Sequence, residues 1–351
     1  MEAQPGILSA FSNLGKFLRD FCDTQTQKTD KWSIELEEII KRGKQSNGWF
    51  TRENVIFALT QWGEVLTKEN LENWLRAYSF KPNSEPKTIA IIMAGNIPLV
   101  GFHDFICVLV TGHKVLAKLS SNDNLLLPFI ARYLTFENAS LEGKIRFTET
   151  KLEAFDAVIA TGSTNTGRYF EYYFGKYPNI IRKNRNSIAV LSGDESQEAL
   201  KALGQDIFQY FGLGCRSVSK LFVPEDYDFK IFFEAIFEYQ SIIDNHKYAN
   251  NYDYNKAVFL MSDFKVLDNN FLLLKEDENY GSPIGTLYFE RYSKIEELTK
   301  KLKTETEKLQ CVVGNSNVLN GIAFGTTQKP GLMDYADNID TIQFLLTLNP
   351  S

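Results

Sequence analysis

The segment YFGLGCRSVSKLFVP, residues 210–224, contains the cysteine with the strongest chemical signature, Cys215. Two glycines, Gly212 and Gly214, allow the backbone to approach it closely, and Arg216 follows it. A thiol becomes a nucleophile when nearby cations or oriented amide groups lower its pKa. The pattern therefore favours Cys215 as a nucleophile, with a structural cysteine as the alternative interpretation.

Asn96 is a second candidate, in the segment AGNIPL at residues 94–99. It follows the apolar, β-branched run TIAIIMA at residues 88–94, which is typical of a buried strand. Ligands of α/β proteins bind at the carboxyl ends of such strands. The side-chain amide could donate to an oxyanion, a contribution of about 2.7–4 kcal/mol in acyl transfer. The alternative is a helix N-cap, with Pro98 in the first helical turn.

Two further segments suit a nucleotide. Lys118 lies near the end of a strand, where it could bind a ribose hydroxyl or a phosphate; the alternative is a solvated strand end. The segment ATGSTNTGR, residues 160–168, predicts a strand, a glycine turn and a helix start that favours a dinucleotide phosphate. Here the alternative is a tight turn. A P-loop is excluded because Arg168, not Lys, follows Gly167, and no GxGxxG motif is present.

The elements that must position these residues follow from periodicity. Residues 5–85 show the three-and-four spacing of amphipathic helices. Beyond the proline-containing break at residues 81–87, strands alternate with helices, which indicates βαβ units and a parallel sheet. Helices are predicted at 97–111, 124–134, 163–173, 195–211, 229–239 and 294–303. Strands are predicted at 88–94, 114–119, 144–147, 156–161, 188–191, 220–223, 256–261, 286–290 and 310–313.

Composition excludes several classes of function. The formal net charge is −6 with no basic stripe, so nucleic acid is not an expected partner. The four cysteines and three histidines do not cluster, so no metal site is expected. The most apolar stretch, residues 97–110, is too short and polar to span a membrane. We expect a cytoplasmic enzyme.

In their order along the chain, these segments resemble the aldehyde dehydrogenase superfamily over residues 88–330. The matched positions are Asn96, Lys118, Thr161, Gly162, Ser163 and Gly212 through Cys215. The resemblance implies an α/β fold with two Rossmann-like three-layer αβα domains, parallel-rich sheets and a helical N-terminal segment. It also implies a cofactor-binding domain, residues 1–186 plus 314–351, and a catalytic domain with the cysteine nucleophile, residues 187–313.

One departure bears on the reaction. Hydrolytic members of the superfamily carry a glutamate in an E-L-G-G segment, whereas the corresponding stretch here, RKNRNS at residues 182–187, has no carboxylate. Acyl-CoA-linked members also lack this glutamate. The departure favours reduction of a thioester over oxidation of an aldehyde.

Three further stretches resemble the LuxC-like fatty acyl reductases. They are NIPLVGFHD at residues 96–104, Ser282-Pro283, and residues 324–337. The resemblance implies an acyl-CoA or acyl-carrier-protein substrate and NADPH as cofactor, with NADH as the alternative. The partners it suggests are a second copy of the chain or acyl-transferring enzymes.

The resemblance also implies roles for the matched residues. Cys215 would attack the thioester, while the Asn96 amide and the Cys215 backbone N–H would hold the oxyanion. Lys118 and the turn at Gly162 and Ser163 (with Thr161 before them) would hold the adenosine half of the cofactor.

Other residues have weaker assignments. Arg216 is a candidate for lowering the pKa of the thiol. His103 could donate a proton, but packing is the favoured interpretation. Glu290 is a candidate for the acid that touches the nicotinamide ribose.

Two alternatives to fatty acyl reduction stay open. One is a CoA-dependent aldehyde dehydrogenase that oxidises a short aldehyde, which chain-length preference would distinguish. The other is a non-catalytic scaffold that binds acyl chains, which an unreactive Cys215 would indicate.

Overall fold

A computed structural model describes residues 5–23, 28–80, 85–314 and 321–348. The chain forms two compact units. Unit 1 comprises residues 1–183 and 331–351, and unit 2 comprises residues 184–330.

Helices and strands alternate along most of the described chain. The α-helices are α1 (Pro5–Cys22), α2 (Lys31–Ser46), α3 (Arg52–Val65), α4 (Lys68–Leu75), α5 (Phe102–Val110), α6 (Leu126–Glu137), α7 (Thr164–Phe174), α8 (Gln197–Phe208), α9 (Phe229–Ala235), α10 (His246–Met261), α11 (Ile295–Thr304) and α12 (Thr341–Leu346). The strands are β1 (Thr88–Ile92), β2 (Lys114–Lys118), β3 (Ile145–Thr148), β4 (Ala157–Thr161), β5 (Asn179–Arg182), β6 (Asn186–Val190), β7 (Val218–Pro224), β8 (Val266–Asp268), β9 (Leu273–Glu276), β10 (Thr286–Tyr292) and β11 (Leu309–Gly314).

Unit 1 opens with the helical segment that the periodicity predicts. The side chains of Asp30, Thr51 and Thr67 cap α2, α3 and α4 by accepting hydrogen bonds from backbone N–H groups of the first turn. The apolar faces of these helices join one core with α5, α6 and the sheet. The predicted helical N-terminal segment is confirmed.

The sheet of unit 1 is entirely parallel, in the order β3-β2-β1-β4-β5. Alternate residues of its central strands face opposite sides. Ile89 and Ile91 join the core beneath the N-terminal helices, whereas Ala90 packs with Val158 and Phe170 on the side of α7. Both faces are therefore covered, which gives three layers.

Unit 2 contains a six-stranded sheet in the order β11-β6-β7-β10-β9-β8, parallel except for the β8–β9 pair. On β6, Ile188 and Ala189 enter separate apolar clusters. Because consecutive strand residues point to opposite faces, both faces of this sheet are buried as well. The predicted α/β class with parallel-rich sheets is confirmed.

Some predicted elements are wrong. The strand predicted at 256–261 is the end of α10, whose buried residues Tyr248, Tyr252, Asn255 and Phe259 follow helical spacing. A six-residue apolar run is compatible with either element, and the longer periodic pattern decides. The helix predicted at 97–111 begins only at Phe102.

The unit boundary also differs from the predicted domain limits. The described residues 184–186, 314 and 321–330 lie in unit 2, whereas they were predicted to belong to the cofactor domain. The cause is β11, which ends at Gly314 as the edge strand of the second sheet and draws the following chain with it through a bridge between Val313 and Ile322.

The described residues contain neither a membrane-spanning helix nor a cluster of metal-ligating side chains. In residues 5–23, 28–80, 85–314 and 321–348, no helix has the length and apolarity needed to cross a membrane. Over the same ranges there is no group of three or more His, Cys, Asp or Glu side chains placed to hold a metal ion.

Candidate active site

In unit 1, the predicted nucleotide-binding residues lie at the carboxyl ends of neighbouring strands of the sheet. Lys118 and Ala160 are both paired in register with Ile92, so the three lie in a row across β2, β1 and β4. The order of the strands reverses between β1 and β4, and ligands of open parallel sheets bind at such a reversal. Strand alternation places the Lys118 side chain on the α7 face of the sheet, the face of Leu116.

The turn after β4 leads directly into α7. Ser163 is the N-cap residue, and its hydroxyl accepts a hydrogen bond from the Thr166 N–H at 3.2 Å. Gly162 is closely approached: a Cβ there would lie 3.0 Å from the ring of Phe170 and 3.1 Å from the Thr166 side chain. The turn thus leads directly to the N-terminus of α7, where backbone N–H groups can favour an anion.

The Asn96 segment forms a turn, not the start of a helix. Leu99 has a positive φ of 59°, which is unusual for a residue with a side chain. The Asp123 carboxylate accepts the Leu99 N–H at 2.9 Å and holds this conformation. Burial raises the pKa of Asp123 to about 6, although this hydrogen bond acts in the opposite direction.

The interpretation of Asn96 as a helix N-cap is wrong. The residue that precedes α5 is Gly101, and Pro98 lies in the preceding turn. The Asn96 Oδ1 atom is buried without a hydrogen-bond partner in the described structure. A buried polar atom without a protein partner is uncommon in folded proteins.

In unit 2, Cys215 lies in a strained loop between α8 and β7. The predicted helix at 195–211 ends at Phe208, and the chain continues through a short 3₁₀ segment, Gln209–Gly212. Tyr210 and Phe211 have φ values of 55° and 61°, in the left-handed region that side chains disfavour. Gly212 and Gly214 have φ values of 74° and 117°. The two glycines are therefore required by the backbone that delivers Cys215.

Ser187 fixes the backbone of this loop. Its hydroxyl donates to the Cys215 carbonyl at 2.8 Å and accepts from the Cys311 N–H at 3.1 Å. Arg216, the residue after Cys215, donates from its guanidinium to the Cys311 sulfur at 3.5 Å. None of the four cysteines, all of them in the described ranges, is part of a disulfide.

A second support comes from residues 324–330, which we call the tail motif. The buried carboxylate of Asp206 on α8 accepts the Gly325 N–H at 2.7 Å and both the N–H and the hydroxyl of Thr327 at 2.9 Å. Gln328 then donates to the Ser217 hydroxyl at 3.2 Å, two residues beyond Cys215. The tail motif therefore braces the chain that leaves the cysteine loop.

Sequence reasoning missed Ser187, Asp206 and the role of Gln328. Ser187 belongs to residues 182–187, which drew attention only because they lack a carboxylate. Gln328 belongs to residues 324–337, whose only signal was their resemblance to the LuxC-like reductases. Asp206 did carry a signal in the sequence: it is a carboxylate on the apolar face of a predicted helix, and a buried acid needs hydrogen-bond partners from elsewhere in the chain.

His103 and Asp104 hold unit 1 together. The His103 ring packs against Trp62, Trp74 and Tyr335, and its Nε2 donates to the Leu332 carbonyl at 2.9 Å. The favoured packing interpretation agrees with these contacts. Asp104 forms a buried ion pair with Arg182 and thereby joins α5 to β5.

Glu290 lies in an ion-pair cluster of unit 2. Its carboxylate accepts from Lys220 at 2.7 Å and from Lys301 at 2.5 Å. Burial opposes ionisation, but these two lysines lower the pKa of Glu290 below its ordinary value. Both carboxylate oxygens are thus engaged by lysines, which leaves the predicted contact with a ribose without support.

The structure therefore gathers the predicted residues in two groups. Lys118, Asn96 and the turn at 161–163 lie at or just after the ends of neighbouring strands in unit 1. Cys215 and Arg216 lie in the braced loop of unit 2.

Known structures define the class of fold. The protein is similar to the aldehyde dehydrogenase KauB from Pseudomonas aeruginosa (TM-score 0.59, 13% identity, 88% of this chain and 77% of that chain). It is also similar to an NAD-dependent aldehyde dehydrogenase from Sinorhizobium meliloti (0.60, 12%, 88% and 72%). An NADP-dependent enzyme from E. coli matches at a TM-score of 0.54 (14%, 83% and 70%). The fold is that of the aldehyde dehydrogenases.

The sequence defines the family within that class. The model of the acyl-CoA reductase (LuxC) family matches residues 16–239, more than half of the chain, and the chain belongs to this family. It is thus an oxidoreductase of the aldehyde dehydrogenase superfamily. No curated protein matches the sequence significantly.

Proposed function

We propose that this protein reduces a fatty acyl thioester, carried by CoA or by a carrier protein, to the aldehyde through an acyl-enzyme on Cys215. The observation that carries the proposal is the braced cysteine loop: a glycine-rich backbone in the left-handed region delivers Cys215, and Ser187 and the tail motif hold it. A structural cysteine would need no such strained support.

The residues of unit 1 fit a nicotinamide dinucleotide. The N-terminus of α7, the closely approached Gly162 and the Lys118 side chain on the same face of the sheet provide backbone N–H groups and a cation for a diphosphate. Thr161 and Ser163 flank the same turn. When bound, NADPH, or alternatively NADH, would supply the hydride that converts the acyl-enzyme into aldehyde.

The remaining steps fall on the chain itself. The Cys215 thiolate attacks the thioester carbonyl, the new C–S bond forms, and the bond to the CoA or carrier sulfur breaks. The Cys215 backbone N–H and the Asn96 amide are the proposed donors to the oxyanion, Asn96 by resemblance. After reduction, the C–S bond to Cys215 breaks and the thiolate is regenerated. No glutamate corresponds to the one that activates water in hydrolytic relatives, which favours reduction of the acyl-enzyme over its hydrolysis.

The test follows NADPH oxidation with tetradecanoyl-CoA in the wild type, in C215A and in C311A. Cys311 is the matched control because it is buried beside the same serine and arginine. We expect turnover in the wild type and in C311A, and none in C215A. Without nucleotide, radiolabelled acyl-CoA should label the wild type and C311A but not C215A.

The same assay separates the alternatives. Activity only in the oxidative direction, with a short aldehyde, CoA and NAD⁺, would support the CoA-dependent aldehyde dehydrogenase. Acyl-CoA binding without labelling of Cys215 or turnover would support the scaffold. A homo-oligomer, or a complex with acyl-transferring enzymes, is proposed as the working assembly.

A further inference from the structure

Lys220 is a charged residue in an unusual place. It lies on β7, its side chain is 0% exposed, and its Nζ lies 4.8 Å and 5.1 Å from the ring centres of Phe222 and Tyr280. Burial lowers the pKa of Lys220, although Glu290 at 2.7 Å acts in the opposite direction. A buried ammonium group is costly and often adds no stability over an apolar residue, so its presence needs another explanation.

The explanation lies in the loop between β9 and β10, residues 277–285, which we call the 277–285 loop. Besides Glu290, the Lys220 Nζ donates to the Glu278 carbonyl at 2.9 Å. The preceding residue, Ser219, donates its hydroxyl to the Tyr280 carbonyl at 2.8 Å. Two consecutive residues of β7 thus hold two backbone carbonyls of this loop.

The same strand begins immediately after the cysteine loop. Cys215 precedes Val218, the first residue of β7, by three positions. On the neighbouring strand, Ser187 holds the Cys215 carbonyl, and Asn186 touches the 277–285 loop: a Cβ on Gly281 would lie 2.9 Å from the Asn186 Oδ1. Consecutive residues of β6 therefore contact both the cysteine loop and the 277–285 loop, while Ser219 and Lys220 of the adjacent β7 hold the 277–285 loop.

We propose that Lys220 is a positioning residue that fixes the 277–285 loop beside the cysteine loop, so that this loop forms one wall of the site in which the acyl group on Cys215 is held. The inference rests on the proposed function for its catalytic consequence. The structural part of the inference, that Lys220 fixes the position of the loop, is independent of the proposed function.

The test compares K220M with K301M. Methionine fills much of the space of the lysine but cannot hold the Glu278 carbonyl, and Glu290 keeps Lys301 as its partner. K301M is the matched control, because it removes a lysine from the same carboxylate without touching the loop. Amide hydrogen exchange over residues 277–285 should become at least about tenfold faster in K220M and stay unchanged in K301M.

Kinetics provide the second readout. Labelling of Cys215 by radiolabelled acyl-CoA without nucleotide should stay within about twofold of wild type in K220M, while kcat for aldehyde formation falls by about tenfold or more, because a displaced wall misplaces the bound acyl group. K301M should match the wild type in both. K220R, which restores a donor to the carbonyl, should recover part of the kcat.

Unchanged exchange in the loop of K220M would overturn the inference whatever the activity, since it would assign the lysine to packing alone. Faster exchange with unchanged kcat would overturn the catalytic half. A wild type that is neither labelled nor active would refute the proposed function, and exchange would still decide the role of Lys220. If K220M does not fold, S219A applies the exchange test, because it removes the hydroxyl that donates to the Tyr280 carbonyl of the same loop while Lys220 stays intact.

Discussion

At the scale of single residues, Asp123 shows how a buried carboxyl group can hold a turn while its charge is disfavoured. Its carboxylate accepts one hydrogen bond, from Leu99, whose left-handed backbone carries the Asn96 segment. Because burial raises the pKa of Asp123 from 3.8 to about 6, its protonated form is favoured by folding. The stability that this group contributes is therefore complete below its ordinary pKa and is lost as the pH rises through about 6.

The substitution D123N tests whether stability falls as the pH rises because of Asp123. Asparagine keeps an oxygen that can accept the Leu99 N–H but has no charge to bury. We expect D123N to gain stability over the wild type as the pH rises from 5 to 8, by about 1.4 kcal/mol, which is roughly half of the linkage that a shift from 3.8 to about 6 represents. Urea unfolding at both pH values measures the difference. A difference that is constant with pH would show that Asp123 does not titrate in this range.

At the scale of elements, the tail motif and α8 are joined by one carboxylate. Asp206 accepts three hydrogen bonds from Gly325 and Thr327, and both Asp206 and Thr327 are 0% exposed. Removal of the carboxylate leaves buried donors without acceptors.

We therefore expect D206A to reduce the free energy of unfolding by about 2–4 kcal/mol, with faster hydrogen exchange in residues 321–330 than elsewhere in unit 2. D206N keeps one acceptor oxygen for Thr327 and should lose less. Equal losses in the two variants would mean that the hydrogen bonds to Thr327 contribute little. Exchange that rises evenly across unit 2 would contradict a local anchor.

The same elements show what the sequence could and could not predict. The helices and the buried strands of unit 1 carry their periodicity in the sequence, and most were predicted correctly. The end of helix α10 was predicted as a strand because six residues alone are compatible with either element, although the buried residues of this helix repeat every three or four positions from Tyr248.

Two kinds of feature had no local signal. The left-handed conformations of Leu99, Tyr210 and Phe211 occur at residues that normally avoid them, so only tertiary contacts determine them. The supports of the cysteine loop join distant positions: Asp206 and Thr327 are 121 residues apart. Periodicity reports which face is buried, and it does not report which partner a buried polar group finds.

At the scale of the whole molecule, each unit has its own sheet and its own apolar clusters. Domains with separate cores can unfold separately. Unit 1 is closed by its C-terminal segment, where the buried guanidinium of Arg182 donates to Asp104 at 2.9 Å and to Thr341 at 3.0 Å. This arrangement joins α5, β5 and α12 through one cation.

Replacement of Arg182 by methionine leaves Asp104 buried without its counter-ion. Because breaking a buried pair from one side costs more than the pair itself contributes, we expect R182M to destabilise unit 1 by about 3–5 kcal/mol. Hydrogen exchange under native conditions should show the loss in α5, β5 and α12, while the sheet of unit 2 keeps its protection. The double variant D104N/R182M, which removes the stranded charge, should recover part of the loss. Equal loss of protection in both sheets would instead mean that the two units unfold as one cooperative body.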